Sequence, residues 1–312
     1  MPKVSVIIPT YNRAHYICET IDSILAQTYR DYEIIVVDDG STDDTRKVLQ
    51  KYDGKVRYFY QKNRGSSAAR NFGISQSQGE YIAFLDDDDL WLPNKLDVQL
   101  EIIEKNLNLA FVCSGSYVIN EAGENINVWK ENKKSKLETF RRLYKGNFVL
   151  TLTVLMRRRC FYDVGEFDER LIVSQDYDLW LRLAKKYKFQ YINTPLAKYR
   201  IHRNNVSKNI ETRFLNNLMI FQEQKINKGV NFLTKRVRLA KIYYEFATIR
   251  YSEKKISEAL ILLIRSILTF PFIGFHYWPR ETENLKFTFV YRILKPYFIV
   301  VLCLFQKIFR NF

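Results

Sequence analysis

The sequence predicts an α/β protein with a Rossmann-like, mostly parallel sheet flanked by helices, followed by a C-terminal helical extension. Two observations support this fold class. In the first half of the chain, short apolar, β-branched runs alternate with segments whose apolar residues recur at helical spacing. From Glu211 onward the apolar pattern is helical throughout. Strands that are apolar along their whole length are typical of a parallel sheet buried on both faces.

The predicted elements follow one another in a regular order. Residues 4–9 form the first strand, and apolar residues at helical spacing follow between positions 17 and 25. Ser41 and Thr42 are predicted to cap a helix with acidic residues in its first turn. The later elements are strands at 33–37, 56–60 and 81–85 and a helix at 66–74.

Polar motifs stand where the predicted strands end, at residues 9–13, 38–42 and 86–89. In parallel sheets, ligands bind beyond the carboxyl ends of the strands. The first half of the chain is therefore expected to carry a ligand site at this edge.

The net charge of +15 is unevenly distributed along the 312 residues. Residues 1–110 have 13 basic and 17 acidic side chains, residues 111–208 have 19 and 10, and residues 209–312 have 17 and 7. A basic second half suits nucleic acid, an anionic membrane or a phosphorylated substrate. Because the basic residues form no recognisable nucleic-acid reader motif, we expect no nucleic-acid partner.

The C-terminal tail is aromatic as well as basic. Residues 270–312 contain 13 aromatic side chains, and the apolar run at 297–305 is far shorter than the roughly 18–20 residues needed to span a bilayer. Two interpretations stay open, a segment in the membrane interface and a helix packed on the body of the protein. The sequence begins without a signal-peptide pattern, and its four cysteines are widely spaced. We expect a cytoplasmic protein, which on the first interpretation contacts the inner face of the cell membrane.

Four consecutive aspartates, Asp86 to Asp89, follow the predicted strand at 81–85. Carboxylates at this spacing repel one another, and a hard divalent cation relieves that repulsion. Mg²⁺ and Mn²⁺ accept one or two carboxylates together with substrate phosphates. A solvated acidic loop is the alternative, but the position at a strand end favours a metal site.

Two further segments suggest an anionic, nucleotide-like ligand. Asp39 follows the second strand, where a carboxylate can accept a hydrogen bond from a nucleobase or a ribose, although a simple turn explains it equally well. Arg70 stands among small residues near a predicted helix start, and a guanidinium there suits an anion. Neither a Walker A loop nor G-x-G-x-x-G is present, which disfavours P-loop and dinucleotide-binding folds.

Taken together, these segments resemble glycosyltransferase family 2, whose members have the GT-A fold. The resemblance covers about residues 1–210 and implies a catalytic domain there. Residues 1–110 would be its nucleotide-sugar and metal half and residues 111–210 its acceptor half, with 211–312 as the helical extension. The matching stretches are S-V-I-I-P-T-Y-N-R at 5–13, V-V-D-D-G-S-T-D at 36–43, A-A-R-N at 68–71, F-L-D-D-D-D at 84–89, G-E-F-D-E at 165–169 and Q-D-Y-D-L-W-L-R at 175–182.

The resemblance also implies a role for individual residues. Asp176 matches the catalytic base, although the family usually has Glu where this chain has Gln175. His202 lies where members often carry Y-R-x-H, so a phosphate or metal contact and a local loop hydrogen bond are both open. Asp86 and Asp88 look like the D-x-D motif, with Asp88 on the metal. The nucleotide-sugar-binding residues would be Pro9, Tyr11, Asp39, Arg70, Asp86 and Asp87.

The function expected from the resemblance is inverting, Mg²⁺- or Mn²⁺-dependent, non-processive glycosyl transfer. A nucleotide-diphosphate sugar would be the donor and a glycan or lipid-linked hydroxyl the acceptor, in surface polysaccharide or glycolipid biosynthesis. The absence of Q-x-x-R-W supports the non-processive class. The alternative is a catalytically silent sugar-nucleotide-binding or membrane-docking module on the same fold. Nucleotidyl transfer is disfavoured because no G-x-G-T/S-R-type loop follows the first strand.

Overall fold

The structure is a computed structural model in which the chain forms two compact units, Met1–Lys208 and Asn209–Phe312. The basic aromatic tail, with its predicted contact to a membrane or to the body of the protein, lies outside the described residues. The described residues are 1–130, 136–138, 140–203, 205 and 209–270.

The first unit is built on one mixed sheet with ten strands in its described part. The strands are β1 (Val4–Thr10), β2 (Tyr32–Asp38), β3 (Arg57–Tyr60), β4 (Tyr81–Phe84), β5 (Leu90–Trp91), β6 (Leu109–Ile119), β7 (Asn125–Trp129), β8 (Lys136–Glu138), β9 (Leu155–Arg157) and β10 (Lys188–Arg200).

The strand order is β3-β2-β1-β4-β9-β6-β10-β5, with β7 paired to β6 and β8 to β10. The four strands from residues 1–110 at one side, β3-β2-β1-β4, are parallel to one another, as is the β6–β10 pair. Antiparallel pairing begins where β9 lies between β4 and β6. Every antiparallel pair involves at least one strand outside the parallel group β3-β2-β1-β4. The α/β fold class is confirmed.

Helices of the described residues complete both units. None of them combines the length and apolar character needed to cross a membrane. In the first unit they are α1 (Ile17–Leu25), α2 (Thr45–Leu49), α3 (Ser66–Gln76), α4 (Lys95–Lys105), α5 (Phe140–Lys145), α6 (Cys160–Val164) and α7 (Gln175–Lys186), and in the second they are α8 (Ile210–Gln222), α9 (Gln224–Asn227), α10 (Phe232–Ser252) and α11 (Ile256–Thr269).

Successive residues of β1 face opposite sides of the sheet, and both sides are covered. Val6 and Ile8 belong to the core that also contains the buried faces of α1 and α4. Ile7 faces α3, where it packs so closely that a Cβ on Gly73 would lie 2.5 Å from its Cγ2. Burial on both faces explains why this strand is apolar along its whole length.

In the second unit, α10 packs on α11 through a small apolar core that includes Ala240, Tyr244 and Leu263. The Ser266 hydroxyl donates to the Ala240 carbonyl at 2.8 Å, which joins the two helices across this core. The helical character expected after Glu211 is therefore present in the described part of this unit.

Gly79 is predicted to be sensitive to a single added methyl group. A Cβ there would lie 2.5 Å from the Ser5 amide nitrogen and 2.8 Å from the Val4 carbonyl carbon, and this backbone is fixed in β1. We expect Gly79→Ala to lower the free energy of unfolding by about 1–3 kcal/mol through overpacking. Urea denaturation measures this loss, with Gln78→Ala at the neighbouring exposed position as the control. Equal midpoints for the two variants would contradict the prediction.

Candidate functional site

The loops that follow β1 and β2 are tied together by Asn12. The backbone N–H of Asn12 donates to the Ser41 hydroxyl at 2.9 Å, and its side-chain oxygen accepts from the backbone N–H of Thr42 at 2.8 Å. The prediction that Ser41 and Thr42 cap a helix is wrong, because α2 begins only at Thr45 and its cap, Asp44, makes no side-chain cap bond. The two polar residues instead join neighbouring strand ends, where they shape the edge of the site.

Asp39 anchors the loop that leads into α3. Its Oδ1 accepts from the Gln61 side chain at 2.7 Å and from the Arg64 amide at 2.9 Å, and its Oδ2 accepts from the Gly65 amide at 2.8 Å. Gly40 permits this close approach, since its φ is +87° and a Cβ would meet the Asn63 nitrogen at 2.8 Å. The carboxylate is 4% exposed and holds loop 61–65 in place, while its predicted contact to a nucleotide stays a prediction.

Arg70 and Asp86 form a partly buried ion pair at the start of the aspartate run. Arg70 Nη2 donates to Asp86 Oδ1 at 2.5 Å, and the guanidinium also lies over the Phe167 ring at 5.5 Å. Arg70 is only 5% exposed, and its Nε and Nη1 have no hydrogen-bond partner among the described residues. Buried donors without partners are uncommon, so this guanidinium retains unused capacity for an anion beside it.

Asp87 and Asp88 are crowded against each other. Burial, and then the neighbouring Asp88, raises the pKa of Asp87 to about 8. Burial and the Asp86 charge also raise the pKa of Asp88. The positive charge near these two carboxylates is only partial compensation, since Arg13 Nε lies 3.8 Å from Asp87 and 3.9 Å from Asp88. In addition, the backbone N–H of Tyr11 donates to Asp87 at 3.2 Å.

His202 is the partner of Asp88. Its Nε2 lies 2.7 Å from Asp88 Oδ2, and the imidazole is 5% exposed. The Asn205 side chain accepts from the His202 amide at 2.6 Å, which orders the backbone on which the ring is mounted. The carboxylate is an oxygen donor of the kind that Mg²⁺ and Mn²⁺ prefer, and the imidazole nitrogen is a common protein ligand of transition metals. Across the described residues, no group of three or more His, Cys, Asp or Glu is placed to hold a metal ion.

Arg200 fixes the end of the aspartate run. Its amide donates to Asp89 Oδ1 at 2.7 Å, and its Nε donates to the Asp88 carbonyl at 2.8 Å. Its two terminal nitrogens reach the Glu121 carbonyl at 3.0 Å and the Glu19 carboxylate at 2.6 Å. One buried guanidinium therefore connects the run to the β6–β7 turn and to α1.

Asp176 is the second residue of α7. The residue before this helix, Ser174, has a φ of +63°, which is unusual for a non-glycine residue. Asp176 Oδ1 accepts from the Tyr177 amide at 2.8 Å, and its Oδ2 accepts from the Thr151 hydroxyl at 3.1 Å. Burial raises the pKa of this carboxyl group, and the nearby Arg70 charge opposes that rise.

Gln175, where the resembled family usually has Glu, donates to the Ser66 hydroxyl at 3.1 Å. Ser66 is the first residue of α3, so this bond joins the start of α7 to the start of α3. The amide side chain thus has a structural contact without adding a charge beside Asp176.

The structure brings most of the predicted site residues to the carboxyl edge of the parallel strands. Asp176 lies within electrostatic reach of Arg70 and Asp86, and Asp88 contacts His202. Two predicted residues differ in accessibility, since Tyr11 is 45% exposed just beyond β1 whereas Pro9 is buried within that strand. The nucleotide-binding roles of both stay predictions.

Comparison with known proteins now gives the class of this chain. Residues 5–165 match the model of the family described as Glycosyl transferase family 2. This match covers half of the chain, and the chain belongs to that family.

Particular relatives align with about two thirds of the chain. The chain is 39% identical over 218 residues to an uncharacterized glycosyltransferase, RC0461, of Rickettsia conorii, an alignment that covers 66% of this chain and 35% of that protein. It is 35% identical over 210 residues to UDP-Glc:alpha-D-GlcNAc-diphosphoundecaprenol beta-1,3-glucosyltransferase WfgD of Escherichia coli, covering 66% and 80%. The chain thus spans about a third of the length of the first relative and most of the second.

A solved structure shows the same fold. S. aureus TarS 1-349 in complex with UDP-GlcNAc superposes with a TM-score of 0.66 at 20% identity, covering 86% of this chain and 81% of that one. This likeness confirms the GT-A type fold expected from the sequence.

Arg200 is predicted to be essential for stability. Arg200→Met removes the guanidinium donor from Asp88, Glu19 and Glu121 at once, and of these residues only Asp88 is buried. Because the Glu19 side chain is 53% exposed, no charge is left buried, and the loss of these hydrogen bonds should cost about 1–3 kcal/mol. Urea denaturation should show a loss of this size, whereas Arg203→Met, at an exposed neighbouring position, should change stability by less than about 0.5 kcal/mol. Similar stabilities for both variants would contradict this assignment.

Proposed function

We propose that this protein is an inverting glycosyltransferase that moves a sugar from a nucleotide-diphosphate donor to an acceptor hydroxyl. Family membership supports the reaction class. The observation that carries the proposal is the partly buried Asp176 carboxylate, which lies near Arg70 and Asp86 in the described structure.

The names of related proteins support a donor and an acceptor class. TarS binds UDP-GlcNAc and UDP, and WfgD is named for UDP-Glc and a diphosphoundecaprenol-linked acceptor. A Bacillus subtilis relative, 36% identical over 214 residues, is named as a putative teichuronic acid biosynthesis glycosyltransferase. We accordingly propose a UDP-sugar donor and a lipid-linked acceptor in surface polysaccharide biosynthesis.

In this reaction Asp176 acts as the general base. As the acceptor oxygen attacks the anomeric carbon, its proton passes to an Asp176 oxygen and the bond from that carbon to the diphosphate breaks. Attack from the face opposite the leaving group inverts the anomeric centre. A pKa raised by burial suits this role, because a base accepts protons more readily as its pKa approaches the working pH. Arg70, with two donors to spare, would neutralise charge near the reacting groups.

Asp88 and His202 would hold Mg²⁺ or Mn²⁺, with donor phosphates and water as the remaining ligands. The fit rests on their donor chemistry and on the charge crowding of Asp86, Asp87 and Asp88, which a cation relieves. When bound, such a cation offsets negative charge on the departing diphosphate.

Asp176→Asn is expected to abolish transfer while leaving donor binding intact. Loss of a general base costs typically 10²–10⁴-fold in rate. Because the pKa of Asp176 is raised, the wild-type rate should fall on the acid side at a higher pH than an ordinary aspartate would give. The measurement is UDP release from UDP-GlcNAc and UDP-Glc across pH 4–9, with calorimetry for donor affinity.

The matched control is Asp53→Asn, an exposed aspartate that should leave the rate and the acid limb unchanged. Wild-type turnover by Asp176→Asn would exclude Asp176 as the base. Donor binding without turnover by the wild type on any lipid-linked acceptor would instead favour the catalytically silent module.

Metal binding gives a second test of the site. We expect Asp88→Asn and His202→Asn each to weaken Mn²⁺ binding in the presence of UDP by at least about tenfold, a typical loss when one protein group at a metal site is removed. Electron paramagnetic resonance of free Mn²⁺ measures this directly, and EDTA should stop turnover reversibly. Asp44→Asn, exposed on the surface, is the control. Unchanged Mn²⁺ affinity in His202→Asn would make His202 a loop residue with a local hydrogen bond.

A further inference from the structure

A short 3₁₀ turn, Thr151–Thr153, lies against Asp176. Both of its threonines are buried, but their hydroxyls have different partners. Thr151 Oγ1 donates to Asp176 Oδ2 at 3.1 Å, whereas Thr153 Oγ1 donates to the Leu150 carbonyl at 2.7 Å within the turn itself. One hydroxyl therefore contacts the carboxylate and the other stabilises only local backbone.

The turn is held from the side of the aspartate run. Trp91 of β5, two residues after Asp89, donates its indole N–H to the Leu152 carbonyl at 2.9 Å. Gln99 of α4 donates to the Thr153 carbonyl at 2.7 Å. The position of the turn is thus fixed by the chain segment that leaves the aspartate run.

Lys95 completes this support from inside the core. It is fully buried, its Nζ donates to Gln99 Oε1 at 2.6 Å, and it lies 4.0 Å from the centre of the Trp91 ring. Both side chains that hold the turn are therefore themselves held. Buried polar groups that are satisfied in this way rigidify their surroundings.

Asp176 is otherwise held only by its own helix, as far as the described residues show, through the Tyr177 amide. Thr151 is the hydrogen-bonding contact that relates the carboxylate to the rest of the first unit. We propose that Thr151 is a positioning residue, whose hydroxyl fixes the orientation of the Asp176 carboxylate relative to the aspartate run. The inference rests on the proposed role of Asp176 as the base.

Three neighbouring groups act on the same carboxylate. The Arg70 charge and the Tyr177 amide favour its ionised form, and the Asp86 charge disfavours it. The Thr151 hydroxyl adds a hydrogen bond to that ionised form, so its removal should raise the pKa of Asp176 further. It should also free the carboxylate to rotate, which lowers the rate of the transfer step and leaves donor affinity unchanged.

The test compares Thr151→Val with Thr153→Val, two isosteric changes in one turn. Because misplacing a reacting group can cost about 100-fold in rate, we expect Thr151→Val to lower kcat by roughly 10–100-fold with the KM for the UDP-sugar unchanged. Its acid limb should move to higher pH, and Thr151→Ser should restore most of the rate and the wild-type limb. Thr153→Val should lower the melting temperature without moving the acid limb.

Thermal melts on each full-length variant establish that it is folded, and Thr151→Ala with Thr153→Ala replaces the valine pair if Thr151→Val does not fold. A folded Thr151→Val or Thr151→Ala variant with wild-type kcat and acid limb would overturn the proposal, as would equal losses at both threonines without a shift of the limb. Failure of the base assignment is separate, because it would appear as turnover by Asp176→Asn.

Discussion

Four adjacent carboxyl groups at the end of β4 are the constraint around which the first unit is organised. At this buried strand end, desolvation and the repulsion of neighbouring carboxylates raise the free energy of the ionised forms of Asp87, Asp88 and Asp89. Each carboxylate has a different partner. Arg70 pairs with Asp86, the Tyr11 amide donates to Asp87, His202 contacts Asp88, and the Arg200 amide donates to Asp89.

These partners come from distant parts of the sequence, and this explains much of the architecture. Arg70 is carried by α3 and Arg200 ends β10, so the sheet must bring β10 back beside the first half of the chain. It does so through the β10–β5 pair, since β5 directly follows the aspartates. The antiparallel β10–β5 pair thus places Arg200 beside the aspartate run that follows the parallel strand β4.

The sequence predicted the parallel strands well, because they follow from local patterns, whereas the roles assigned to the site residues stay predictions. Continuous apolar runs identified β1, β2 and β4, and the polar residues that follow β1, β2 and β4 lie at the expected carboxyl edge of these strands. The apparent helix cap at Ser41 was misjudged, because tertiary hydrogen bonds from Asn12 compete with capping. Local propensity does not reveal a partner 29 residues away.

Thr151 shows why other contacts in the site could not be predicted from the sequence. It lies in the apolar stretch V-L-T-L-T-V-L, where a threonine looks like any β-branched residue of a buried strand. Nothing local separates it from Thr153, and only the tertiary fold turns one hydroxyl toward Asp176. Asp39 is a different case, since the sequence marked it as either a ligand contact or a turn residue but did not predict its three loop contacts.

The two ends of the site are set by different physical means. At Asp88, the hydrogen bond with the His202 imidazole and the charge of the nearby Arg13 stabilise the carboxylate in part. Asp88 and His202 together offer two ligand atoms to a cation, which leaves room for further ligands. At Asp176 no cation of the described residues pairs directly with the carboxylate, and orientation depends on neutral donors, Thr151 and the Tyr177 amide. A carboxylate held by neutral donors keeps a higher proton affinity than one held by an ion pair, since an adjacent cation would favour the ionised form more strongly. Asp88, in the aspartate run, is therefore suited to binding positive charge, whereas Asp176, on α7, is suited to accepting a proton.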